Sequence, residues 1–437
     1  MPRLLVLFVT AFVDMVGLAM IVPLLPFYAT DFGASATVVG ILVSAFSVAQ
    51  LAVAPLWGRF SDRYGRRPAI LAGLLLTACA YVIFGLAGSV PVLLLSRLVQ
   101  GLGGGTIGVV QAYVADASTP EQRTKSLGWL SAVTSLGAVA GPAFGSAMIS
   151  VGGKSAPGIA AAVLALLVAG FAARFLSESR DLPMAGAPAA HRTSPRRAIL
   201  RVVSHWREPA SRLIWIYTVG IGAFYGTIQV VPLLLEHRMG VTEQTVGYFI
   251  MYLGGMGVVI RSLLLGRAVD LLGEARLSRL GLVLLAAGLL GTGMATHNGL
   301  LFLGFTLMPL GTAFLFPCVT GLLSRVVPGG DRGLYMGVQH TFGGMSRVAF
   351  PVAAGVFMDH FGVGVPFWLA GLLVLAVLPF AWGLAESLPP ESPEALAVRI
   401  VSSADVTGEF PVEKVVEETP TAAPDPASGP TPRPVEG

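Results

Sequence analysis

Charge is scarce in this chain. Asp, Glu, Lys and Arg make up only 12% of it, while 54% is hydrophobic. A soluble domain carries about 25% charged residues, so this balance excludes an ordinary water-soluble globule. Cysteine is scarcer still. The two residues, Cys79 and Cys318, fall inside apolar runs, which excludes a disulfide framework or a thiol–metal cluster and leaves two small apolar fillers. Metal-ligand spacings and nucleophile triads are missing. The Gly-rich run "GLGGG" at 101–105 lies in an apolar stretch rather than after a strand, so it is no phosphate loop. An enzyme is not expected, and neither is a cofactor or a metal. No basic patch interleaved with aromatics exists outside the loops, so nucleic acid is not an expected partner.

Long apolar runs are what the chain has. Twelve recur, over roughly 4–28, 36–57, 69–87, 91–114, 125–150, 156–176, 212–235, 243–265, 277–296, 299–325, 333–358 and 363–385. Each is long enough to cross a hydrocarbon core of ~30 Å as a helix. Lipid offers backbone groups no partners, so such runs must be helical, and transmembrane strands would alternate where these do not. The first run is no cleaved signal peptide, because Asp14 interrupts it, it is too long and no small-x-small cleavage site follows.

Basic residues fall on one side. With the N-terminus inside, the inner loops hold twenty Lys and Arg and the outer loops only Lys154 and Arg238. This predicts cytoplasmic termini and a multi-pass protein of the plasma membrane, a bacterial inner membrane. The expected organisation is a six-helix bundle over 1–177, a cytoplasmic central loop over 178–211, a second six-helix bundle over 212–386 and a tail over 387–437. The loop includes "SPRRAILRVVSHWRE", which could lie on the membrane as an amphipathic helix. Counted from Ser387, the tail holds ten prolines and nine acids against three bases, a composition that stays disordered.

The two halves repeat at an offset of about 209 residues. "IVPLLP" at 21–26 matches "VVPLLL" at 230–235. Gly17 matches Gly226, Arg123 matches Arg332 and Pro142 matches Pro351. Gly58, Asp62 and Gly65 return as Gly266, Asp270 and Gly273. Internal repeats in a membrane protein point to a transporter whose site lies between the repeats, near the bilayer midplane.

At this point the sequence resembles the major facilitator superfamily over residues 1–386. The stretch "GRFSDRYGRRPAIL" looks like that family's gating loop between the second and third helices, carried here by Gly58, Asp62, Arg63, Gly65, Arg66 and Arg67. "LSRLVQGLGGGTIGVVQAYVAD" is similar to its fourth-helix motif, with Arg97, Gly101 and Asp116 matching. "GAVAGPAFGS" is similar to the fifth-helix motif of the drug:proton antiporter branch, with Gly137, Gly141, Pro142 and Gly145 matching and Ser146 where Gly is frequent. The resemblance implies an all-α protein of twelve transmembrane helices in two pseudo-symmetric bundles. It would export small amphiphilic compounds by alternating access, driven by protons. A proton-coupled importer of a metabolite such as an organic acid, and a membrane sensor that has lost transport, stay open beside it. The expected partners are protons, a small-molecule substrate and lipid, with the chain acting as a monomer.

Particular residues carry these expectations. Glycines 137, 141 and 145 form a stripe on which a neighbouring helix can pack closely, and Pro142 permits a kink. Asp62 could meet the N-terminus of the eleventh helix in the outward-facing state, while Arg66 and Arg67 could pair with Asp116. Asp14, Arg97 and Arg347 lie deep in apolar runs, where ionised groups are costly, and their repeat partners Ala223, Thr306 and Ala138 are neutral. Asp14 is the expected proton carboxylate, with Arg97 competing for it; a static pair between them is the alternative. Arg97, Gly101, Gly104, Gly108 and Gln111 share a helix face and are expected to wall a cavity. His340 and Arg347 share another face. Tyr217, Phe224, Tyr225, Gln229, Tyr248, Met251 and Tyr252 could add an aromatic lining.

Overall fold

The computed structural model describes residues 2–119, 122–178, 194–328 and 330–384. The expected acidic tail and residues 179–193 of the central loop lie outside them. All twelve apolar runs are helical. The first is α1 (Pro2–Ile21) with α2 (Leu25–Asp31), the second α3 (Ala36–Tyr64), the third α4 (Arg66–Gly85). The fourth is α5 (Val90–Gly104) with α6 (Ile107–Asp116), the fifth α7 (Arg123–Gly152), the sixth α8 (Ala156–Phe175). After α9 (Pro195–Ser204) the second set begins with α10 (Pro209–Ile228) and α11 (Val231–Met239). It continues with α12 (Val246–Leu263), α13 (Leu265–Leu272), α14 (Glu274–Met294), α15 (Asn298–Val326), α16 (Arg332–Phe361) and α17 (Val365–Ala376). Among the described residues nine helices are long and apolar enough to cross a membrane, or ten if α10 and α11, bent by 45°, form one span. The polar α16 and the short α17 complete the twelve.

The repeat is visible in the backbone. Pro23 and Pro232, 209 residues apart, sit where the first span of each half breaks. α7 and α16 are both 30 residues long, start 209 positions apart and carry Pro142 and Pro351 at matching places. Gly65 (φ 106°) and Gly273 (φ 73°) end α3 and α13. That positive φ disfavours any residue with a Cβ, which accounts for the glycine in both copies.

Within the first half α1 packs chiefly on α7 and α8, and α4 on α5 and α8; within the second, α14 packs on α15 and α17, and α10 on α15, α16 and α17. The central helix α9 is amphipathic. Ser194 caps it by accepting from the Arg197 N–H (3.4 Å), and buried Ala198 and Val202 face the bundle, where Trp215 donates to the Val202 carbonyl at 3.3 Å.

The two halves meet along α3–α16 and α7–α12. The α3 stripe of Gly40, Ser44, Leu51 and Gly58 recurs on one helix face, opposite Gly355, Pro351, Val348, Gly344 and Gly337 of α16. Contact begins at Ala36 and Asp359. It continues where Ser44 donates to the Val348 carbonyl at 2.6 Å, and ends where Gly344 lies against the Leu51 side chain. Beyond that point a Cβ added at Gly58 or Gly337 would meet nothing within 4 Å. The α7 stripe behaves alike. Pro142 and Val139 lie against Gly247 and Gly254 of α12, while Gly128, further along the same face, has open space beside it. Small residues let the backbones touch at one end. The halves are closed there and parted at the end that carries the Gly58–Arg67 loop.

Candidate functional site

Asp14 is half-buried on α1. It lines a cavity of about 570 Å³ in the first half, formed by α1, α4, α6 and α7, with Thr10, Gln111, Ser131 and Thr134 as polar neighbours. It makes no ion pair among the described residues, and it is the one acid away from a span end between residues 4 and 385.

The expected pairing with Arg97 is not formed. Arg97 is buried on α5, donates to its own-helix neighbour Gln100 Oε1 and lies 5.3 Å from the Phe46 ring centroid of α3. The reason is a break in the fourth span. α5 packs on α3 and α4, whereas α1 touches the fourth span along α6, so Arg97 and Asp14 belong to different packing surfaces. Buried Tyr81 of α4 fills the space between, its ring against Gly17 of α1 and within electrostatic reach of both charges.

The same break corrects the fourth-helix face. Gly101 lies against Phe46 and Ala49, and Gly104 against Gln50 and Phe46, so both pack on α3 and wall no cavity. The turn at Gly105 and Thr106 rephases the chain, and only Gly108 and exposed Gln111 face open space.

In the second half Arg347, half-buried on α16, lies over the ring of Tyr225 at 4.8 Å. Tyr217 completes the group, its ring 5.6 Å from Phe316 and 6.4 Å from His340. Phe224 stands edge-on to Tyr225 at 5.6 Å, and Gln229 sits half-buried at the break before α11. Tyr248 and Tyr252 are exposed on α12, with Met251 half-buried between them; the Tyr252 hydroxyl is 2.8 Å from that of Thr306. The expected lining is therefore split between the halves, Asp14 with Gln111 in one and Tyr217, Tyr225, His340 and Arg347 in the other.

The fifth-helix glycines do one physical job. Gly137 lies against Phe12 and Met15, Gly141 against Ala19 and Val16, and Gly145 against Met20, so α7 and α1 run nearly backbone to backbone. Ser146, where Gly was the family's habit, faces α12. Fully buried, it donates to the Glu243 carbonyl at 2.7 Å and accepts from the Gly247 N–H at 3.0 Å.

In the gating loop Arg66 holds Asp62 at 2.6 Å and Asp116 at 3.1 Å. Arg67 does not reach Asp116; its guanidinium donates to the Ala173 carbonyl. Arg63 lies 5.3 Å from the Tyr64 ring. Asp62 is largely exposed, and among the described residues no hydrogen bond joins it to α16 in this open arrangement. Glu178 went unnoticed in the sequence: its carboxylate accepts from the backbone N–H groups of Arg66 (2.9 Å) and Arg67 (3.2 Å), capping α4 through the space that Gly65 leaves.

At the closed end Asp359 of α16 accepts from the Ala36 N–H at 2.9 Å and from Thr37 of α3. Lys154 pairs with Asp31 and lies 3.7 Å from Glu243. The hydrogen bond to Asp31, helped by the two carboxylate charges, holds the Lys154 ammonium above the usual lysine value.

Two six-helix halves, closed on one side and parted on the other around unpaired charges, define a polytopic carrier of the alternating-access class. The chain belongs to the Major Facilitator Superfamily, whose family model matches residues 7–264 and 249–412. Multidrug resistance protein 2 of Bacillus subtilis is 29% identical over 377 residues, 84% of this chain and 91% of the relative. The class B tetracycline resistance protein of Escherichia coli is 26% identical over 365 residues, covering 82% and 88%. Among solved structures, a bacterial homolog of the human lysosomal transporter Spinster, in an inward-facing and occupied conformation, shares the fold. Its TM-score is 0.69 at 14% identity, over 89% of this chain and 98% of that one.

Proposed function

We propose that this protein exports small amphiphilic compounds across the cytoplasmic membrane in exchange for protons. The observation that carries the reading is Asp14, an acid with no ion-pair partner among the described residues, in a cavity within a two-half bundle shut at one end. The resistance functions in the names of the Bacillus and Escherichia relatives support export. The asymmetry of Lys and Arg supports a cytoplasmic position for the parted end, with its arginine-rich loop, and for both termini. One chain supplies both halves, so the working unit is a monomer.

The mechanism follows from what can be paired in each state. An ionised carboxylate at this depth is expensive unless a proton or a cationic group neutralises it. Cargo entering from the cytoplasm and a proton therefore compete for Asp14. With Arg97 anchored to Gln100 and Phe46, no cation among the described residues pairs with Asp14, and the occupant sets its charge. Neutralisation by either occupant lets the carrier exchange its open end: with cargo aboard the Gly58/Gly337 end shuts and the Asp359 end opens, and after release a proton on Asp14 lets it return.

The same two helices can latch either end. Asp359, late in α16, caps the start of α3 in the state seen here. Asp62, late in α3, is positioned to cap the start of α16 when the other end shuts.

Everted vesicles with an acidified lumen test the direction. An exporter releases protons to the bath when a compound such as ethidium is added. An importer shows no such release and takes compound up in right-side-out vesicles instead.

A further inference from the structure

Arg347 is the deep charge that the transport cycle above leaves unused. It lies on α16 between two packed stripes. Gly344, Val348, Pro351 and Gly355 face α3, and Gly343, Ser346 and Phe350 face α10. At 100° per residue Arg347 falls in the angular gap between them, which is the crevice between the two halves. Its Nε is buried without a hydrogen-bond partner, and no ion pair reaches it among the described residues. The spans of the second half hold no acid at its depth. A guanidinium is costly to place there, and its repeat counterpart is Ala138, so the fold does not demand it.

The surroundings favour a planar anion. Tyr225 lies under the guanidinium at 4.8 Å, a cation–π contact that occupies the face and leaves the N–H edge to hydrogen-bond. His340, two helical turns away on the same face, and the Tyr217 ring add polar edges without negative charge.

The depth of Arg347 matches that of Asp14. Phe350, one turn further along α16, packs on Gly222 and Gly226 of α10, and the repeat places Ala223 of α10 at the level of Asp14 of α1. Asp14 at that level lines a cavity whose described walls all belong to the first half, so Arg347 is the charge that the second half presents to the crevice, and an anionic group is what it would favour.

We propose that Arg347, backed by Tyr225, is a carboxylate-binding subsite on the second-half wall of the crevice, and that the preferred cargo is an amphiphilic compound that carries a carboxylate. This rests on the reading of the crevice as the substrate path, and it does not depend on proton coupling.

The test is equilibrium binding to the full chain in nanodiscs at pH 7, read by probe fluorescence. The probes are norfloxacin, which carries a carboxylate and a piperazinium, its ethyl ester, which keeps only the cation, and its N-formyl derivative, which keeps only the carboxylate. Wild-type protein is expected to bind norfloxacin and its N-formyl derivative within about twofold of each other and about tenfold more tightly than the ester, a difference of about 1.4 kcal/mol. Arg347→Gln should erase the preference over the ester by weakening norfloxacin about tenfold, leaving the ester within about twofold. Arg347→Lys, which keeps charge and loses the planar fork, should fall between. Equal binding of acid and ester by the wild type overturns the subsite without any variant having to fold. So does an Arg347→Gln protein that weakens both probes alike. If the preference holds but no compound moves protons in vesicles, the export reading fails and the subsite stands.

Discussion

The carboxylate of Asp359 accepts two hydrogen bonds from Thr37, from its backbone N–H at 2.8 Å and its hydroxyl at 2.5 Å, although 322 residues separate them. A third, from the Ala36 N–H, completes a cap on the first turn of α3 supplied by the opposite half. An acid at a helix N-terminus is favourable because the first N–H groups have no partner within the helix. This cap holds one end of the crevice shut.

Removing it should loosen that end. A lost N-cap costs about 1 kcal/mol, so Asp359→Ala is expected to raise the population open on the Asp359 side by about fivefold. Spin-label distances between α2 and α11 read this directly. An unchanged distance distribution would mean that the cap is incidental.

Gly247 tests the companion contact. Its Cα faces the Pro142 carbonyl so closely that an added side chain must displace the backbone. Gly247→Val should leave the protein inserted and able to bind compound, while transport falls to background because α7 and α12 can no longer meet. Transport at the wild-type rate would contradict the packing.

At the parted end a Cβ added at Gly58 would meet nothing within 4 Å, and Asp62 is paired with Arg66. The proposed reciprocal latch requires both in the opposite state. Gly58→Trp and Asp62→Asn are expected to abolish transport without impairing insertion, and to leave the α2–α11 distance as in the wild type. Active transport by either variant would refute the reciprocal latch.

Lys154 gives a pH signature. Its folded-state pKa is raised, first by the hydrogen bond to Asp31. Its contribution to stability is therefore complete below the unfolded value of about 10.4 and is lost as pH rises through the folded value. The Tm difference between wild type and Lys154→Met should be small, as for exposed pairs, constant from pH 7 to about 10 and gone above that range. A difference that widens with alkali would contradict the sign.

Most of the fold was legible because membrane spans need only length and apolarity, and because matched prolines and glycines repeat at a fixed offset. Asp14, Arg347 and the α7 glycines could be singled out for similar reasons: charge in lipid and spacing every four residues leave clear traces. What stayed hidden depends on phase and on partners far along the chain. The turn at Gly105 and Thr106 rotates Gln111 away from the face that holds Arg97, which no count from residue 97 reveals. Asp359 and Glu178 read as solvated acids at span ends until the helix N-termini they cap are placed beside them. Ser146 looked like a small departure from glycine, yet its hydroxyl joins α7 to α12.

The claim on which the mechanism turns is that Asp14 couples proton to cargo. Asp14→Asn in proteoliposomes, assayed for both pH-gradient-driven accumulation and cargo counterflow, addresses it most directly. The account expects driven accumulation to fall at least tenfold while counterflow survives, because the crevice still opens to each side. Driven accumulation at the wild-type level would contradict it.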